Sequence, residues 1–176
     1  MVIVNTVVVV RGMLGGTDSD VAIALACFGG GSMAAALSLP RLLDRLQDRP
    51  VMLSAAMVVG PALLAFVGVV LLSPTKPSTS NLVWPALLVT WTVLGVGYSA
   101  VMTPSGRLLR RSAHPADRPA VFAAQFALSH ACWLLTYPLA GWLGSSAGIV
   151  PTLLVLAALT FAGVLGACPG NGLGIK

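Results

Sequence analysis

The sequence predicts an all-α, polytopic helical membrane protein with about five transmembrane segments, and three observations lead there. Apolar residues make up 57% of the 176 residues and charged residues only 9%, where a soluble protein carries about 25% charged. Mean hydropathy is +0.93. The few charges lie in short knots between apolar runs that approach the length needed to cross a bilayer. A water-soluble fold of this size could not cover its surface with so few charges, so lipid is the expected solvent for most of it.

The net charge of +5 and the pI near 9.7 raise the question of nucleic acid. The charges form no basic face and no aromatic residues are interleaved with them, so a nucleic-acid partner is not expected. Cys27, Cys132 and Cys168 form no CxxC pair, and two fall inside apolar runs. They read as small buried hydrophobes rather than as metal ligands or a disulfide framework, and no cofactor is expected.

Residues 1–11 begin with MVIVNTVVVV, which spans only about 15 Å as a helix, half of a bilayer core. The stretch lacks the basic n-region of a signal peptide and reads as a partial helix. A Gly-rich turn follows, and Asp18 or Asp20 is expected to cap the next helix. The span 21–39 has small residues every four positions, in one stripe at Ala22, Ala26, Gly30 and Ala34 and in another at Cys27, Gly31 and Ala35. Such stripes let helices approach closely in lipid.

The run Pro40 to Pro50 holds three arginines and two of the five acidic residues. It is expected to form a tight loop outside the hydrocarbon. The span 51–72 contains Gly60-Pro61, where a kink is expected. After a Pro/Ser/Thr loop from Ser73 to Asn81, the span 82–103 opens at Trp84-Pro85 and places Trp91, Gly95, Tyr98 and Met102 on one helical face. A second charged loop, Pro104 to Pro119, holds Arg107, Arg110, Arg111 and Arg118. The span 120–144 is the most polar, with a bend expected at Pro138, and 149–167 is the last before a Gly-rich tail.

The two charged loops hold seven arginines, and Lys176 is expected on their side, whereas the opposite side has Arg11 and Lys76. The positive-inside rule then places the arginine side and the C-terminus in the cytoplasm, in a multi-pass protein of the cytoplasmic membrane.

Pro40 to Arg49 resembles the loop signature of the major facilitator superfamily, G-x-L-x-D-R-x-G-R-K. Leu42, Asp44, Arg45 and the final basic residue Arg49 match, while Pro40 and Gln47 replace the two glycines and Asp48 stands where a basic residue is usual. The departures fit the weaker copy of the signature, between helices eight and nine of these transporters. Arg118 to Gly141 also looks like an eleventh helix of bacterial members. The resemblance implies that the chain forms most of one six-helix half, from a partial helix seven through helix twelve. It also implies alternating-access secondary transport of a small solute, with an N-terminal six-helix half as partner. Asp44, Arg45 and Arg49 would then belong to a conformational-gate loop.

Candidate functional residues follow from polarity at membrane depth. Gln125, Ser129, Trp133 and Thr136 fall within about 80° of a helical wheel and could line a substrate path, or could hydrogen-bond between helices. Tyr98 and Asn5 are further substrate-path candidates. His130 is the proton-relay candidate, because its ordinary pKa lies near physiological pH, although a packing role is the simpler reading. No HExxH and no intramembrane acidic pair occurs, so an enzyme is not expected. The competing class is a non-transport helical scaffold or subunit that packs against partner proteins.

Overall fold

The computed structural model describes residues 2–44, 46–73 and 81–167. Lys76 and most of its loop, Cys168, Lys176 and the rest of the tail lie outside the described residues. The described residues are almost entirely helical: α1 (Val2–Val7) continues as a π-helical segment (Val8–Met13), and α2 (Asp18–Leu43), α3 (Asp48–Leu72), α4 (Val83–Ser112), α5 (Arg118–Ser146) and α6 (Ile149–Ala167) follow. Among the described residues there is no strand, and α2 to α6 are each long and apolar enough to cross a membrane.

Four of the five helices are longer than the predicted spans, mostly at their arginine-bearing ends. Pro40 to Leu43 belong to α2 and Asp48 to Pro50 to α3, so the expected loop contracts to a short turn. Arg107, Arg110 and Arg111 are helical rather than loop residues, on the last turns of α4. The reason is that a helix leaving the hydrocarbon keeps its backbone hydrogen-bonded while its long basic side chains reach water. Helices α3 and α5 also run unbroken through Pro61 and Pro138, and each proline removes only one internal donor.

The cap of α2 also differs from expectation. Thr17, with extended backbone, is the N-cap, and its Oγ1 accepts from the Asp20 N–H at 3.4 Å. Asp20 reciprocates, accepting from the Thr17 N–H at 2.7 Å, which completes a capping box. Asp18 instead pairs with Arg11 at 3.0 Å across the turn.

Helices α2 and α4 form the most extensive contact, and α4 packs on its other side against α3, which in turn carries α6. Glycine makes the α2–α4 approach possible. A Cβ on Gly31 would run into the Thr92 carbonyl, and one on Gly95 into the Phe28 carbonyl. The stripe of Cys27, Gly31 and Ala35 therefore faces inward, whereas Ala22, Ala26, Gly30 and Ala34 are exposed. On α3, Gly60 sits against the Phe161 ring of α6.

Most of the core lies toward the end that carries the π-helical segment, around Val9, Leu63, Phe66, Leu87, Trp91 and Leu153. A smaller cluster of Ala35, Leu39, Leu43, Val51 and Ala100 lies toward the arginine end. Helix α5 joins the bundle differently: only Ala140 and Gly144 are buried on it, both near its C-terminus. There Gly141 meets Val4 and Gly144 meets Asn5 of α1, while the N-terminal two-thirds of α5 stands largely exposed.

Replacing Gly31 or Gly95 with alanine is expected to lower stability by about 1–3 kcal/mol through overpacking. Gly30→Ala, which meets nothing within 4 Å, should instead be neutral or gain up to about 1 kcal/mol of helix propensity. Thermal unfolding of the purified variants in detergent checks this, and equal losses at positions 30 and 31 would contradict the close crossing.

Candidate functional site

Two features stand out on this frame: an apolar cavity at mid-bundle and a charged cluster at the arginine end. The cavity, of about 500 Å³, is walled by residues of α1, α2, α3, α4, α5 and α6. Helix α4 supplies the longest stretch of wall, from Leu94 to Met102, and α5 closes the side with Trp133 and Tyr137. The face predicted on α4 thus divides along its length. Trp91 is fully buried in the core, where its indole N–H donates to Thr6 Oγ1 at 2.7 Å and its ring meets Phe66 edge-on. Gly95 marks the crossing with α2, and Tyr98 and Met102 border the cavity.

Of the substrate-path candidates, Tyr98 and Trp133 are in the cavity wall. Gln125, Ser129 and Thr136 are half-buried on the same side of α5 but are not in the wall. Their two hydroxyls and the Gln125 amide nitrogen bond within their own helix. Ser129 Oγ donates to the Gln125 carbonyl at 2.8 Å, and Thr136 Oγ1 donates to the Cys132 carbonyl at 2.8 Å. The Gln125 amide donates to Ser129 Oγ at 3.4 Å.

His130 is exposed, with Nδ1 at 2.8 Å from the Phe126 carbonyl and its ring between those of Phe126 and Trp133. Asn5 lies outside the wall as well. It is fully buried against Gly144 of α5, and its amide has no hydrogen-bond partner among the described residues. Cys27 is half-buried, whereas Cys132 is exposed and departs from the buried hydrophobe that the sequence predicts.

The charged cluster centres on Asp48, the residue that departs most from the loop signature. Its side chain is 3% exposed, with Oδ2 accepting from Arg111 Nη1 at 3.0 Å and Oδ1 at 3.5 Å from Arg107 Nε. The second contact is an ion pair without hydrogen-bond geometry. Asp44, from the turn, is exposed and lies 3.8 Å from Arg107. Arg49 points the other way and donates to the Ala167 carbonyl at 3.2 Å, where a cation suits the C-terminal end of α6. Arg45 lies outside the described residues.

Adjacent residues at the start of α3 therefore hold the ends of α4 and α6. Sequence reasoning named Asp44 and Arg49 but missed Asp48, Arg107 and Arg111 as one unit. The available signal was an acid at a normally basic position together with two arginines four residues apart, which share a helical face.

Asp48→Asn should cost about 1.5–3 kcal/mol, the range for a hydrogen bond to a charged group, whereas Asp44→Asn should cost at most about 1 kcal/mol, as an exposed pair does. A double-mutant cycle of Asp48→Asn with Arg111→Gln, read by thermal unfolding, is expected to show coupling that the cycle of Asp44→Asn with Arg107→Gln lacks.

No curated protein and no solved structure matches the chain. The family model described as Major Facilitator Superfamily matches residues 1–168. With five apolar helices of membrane-crossing length, the chain belongs to the Major Facilitator Superfamily of membrane transporters.

Proposed function

We propose that this chain works as the C-terminal half of a secondary transporter that moves a small solute across the cytoplasmic membrane by alternating access. The observation that carries the reading is the mid-bundle cavity beside a helix, α5, that is packed at one end only. A transporter of two rocking halves needs a site at mid-membrane bordered by surfaces that can part. Asn5 and Gly144 then belong to the closed end, and the α5 stretch from Arg118 to Leu135 borders the open one.

The polar stripe of Gln125, Ser129 and Thr136 supports the same reading, since polar groups at membrane depth are costly against lipid and favour an aqueous path or a facing helix. A second six-helix half is the proposed partner for the exposed faces of α2 and α5. The arginine end lies in the cytoplasm in this proposal, as the positive-inside rule requires. Asp48 with Arg107 and Arg111 holds α3 and α4 together as the halves move, and Asp44 and Arg49 extend this gate region. His130, exposed on α5, is the proposed proton-relay residue.

Cysteine scanning along α5, in a background lacking Cys27, Cys132 and Cys168, tests the path. A water-soluble thiol reagent is expected to label Ser129→Cys and Thr136→Cys from the cytoplasmic side, and to leave Leu134→Cys unlabelled. Labelling of position 134 alone would favour the scaffold alternative. In a transporting preparation, His130→Gln is expected to abolish the pH dependence of uptake, and unchanged pH dependence would remove the relay.

A further inference from the structure

The cavity wall carries an aromatic arrangement that the transport reading leaves without a purpose. Phe28 of α2 and Tyr98 of α4 form one ring pair, with centroids 6.0 Å apart and planes tilted by 46°. Trp133 and Tyr137 of α5 form a second, stacked pair, 5.9 Å apart and within 7° of parallel. All four residues border the same cavity. Tyr98 is 44% exposed and Trp133 39% exposed, so both rings retain free surface after pairing.

Among the described residues no Asp, Glu, Lys, Arg or His lines the wall, which is otherwise mainly aliphatic. A charged solute would be desolvated there without a counter-charge, and a sugar would leave most of its hydroxyls without partners. The one wall threonine, Thr160, already donates its hydroxyl hydrogen to the Leu156 carbonyl at 2.8 Å. The volume of about 500 Å³ falls in the range of sites for drug-sized molecules.

From these observations we infer that the cavity takes an uncharged, flat aromatic compound, held against the rings of Tyr98 and Trp133. Offset stacking on the free ring faces supplies orientation, and displacement of water from the aliphatic wall supplies most of the affinity. The inference rests on the proposed solute path, but it concerns equilibrium binding and needs no transport cycle.

The test uses the full chain in lipid nanodiscs and a trifluoromethyl-diazirine derivative of naphthalene, photolysed and mapped by mass spectrometry. Adducts are expected on Tyr98, Met102 and Trp133, and excess unlabelled naphthalene should remove them. Trp133→Ala should weaken that competition about tenfold, the equivalent of losing one aromatic pair, while Trp133→Phe, which keeps a ring, should stay within about threefold.

Three results would overturn the proposal. Adducts could fall mainly on the outward-facing Trp142 and Leu165 without competition, as simple partitioning into lipid predicts. Oleic acid could clear the cavity as well as naphthalene does, which would make it an acyl-chain groove. Tetraphenylphosphonium or methyl glucoside could compete better than naphthalene, which would assign a cation or a sugar instead. If any of these occurs while Ser129→Cys is still reached by the water-soluble reagent, the compound class falls and the path remains.

Discussion

The close crossing of α2 and α4 is the constraint from which the rest of the arrangement follows. Lipid tails are as apolar as leucine side chains, so helices in a bilayer gain little from hiding apolar surface and must gain from tight packing. Gly31 against Thr92 and Gly95 against Phe28 bring the two backbones to a distance that no side chain would permit. With α4 held there, one of its flanks is left to receive α3, and α3 carries α6 through Gly60 and Phe161. Beyond the Gly95 crossing, Tyr98 and Met102 on the same face of α4 border the cavity, with Phe28 of α2 and Trp133 and Tyr137 of α5 in the same wall.

The two ends of the bundle are held by different physics. At the end with the π-helical segment, contact is by apolar side chains and by a buried hydrogen bond from Trp91 to Thr6. At the arginine end the apolar cluster is small, and Asp48 and Arg49 tie α3 to α4 and α6 by charge. Charge-assisted hydrogen bonds are the strong ones, so a small apolar cluster there is supplemented by Asp48 and Arg49, whereas the other end relies on close apolar packing.

The loop signature takes on a different meaning beside this geometry. A sequence pattern directs attention to Asp44, which matches it, and away from Asp48, which does not. The structure places Asp44 at the surface and Asp48 in the cluster, facing two arginines of α4. A site that is usually basic has become acidic here, and the facing helix presents basic residues to it. The sign of the charge differs, while an attraction between the two elements is present.

What the sequence determined by itself was everything that depends on composition and local period. These include the membrane as solvent, the number of spans, the two charged loops at one end, and small residues every four positions on α2. Those properties follow from hydropathy and the 3.6-residue repeat, which act within one helix. Tertiary structure decided the rest. It chose Gly31 and Ala35 over Gly30 and Ala34 for the contact, put Tyr98 and Trp133 on one cavity, and left Gln125 and Ser129 bonded within α5. It also buried Asn5 against Gly144 and joined Asp48 to residues about sixty positions away. Such choices depend on which helices meet and at what depth, and neither is encoded in the periodicity of any single helix.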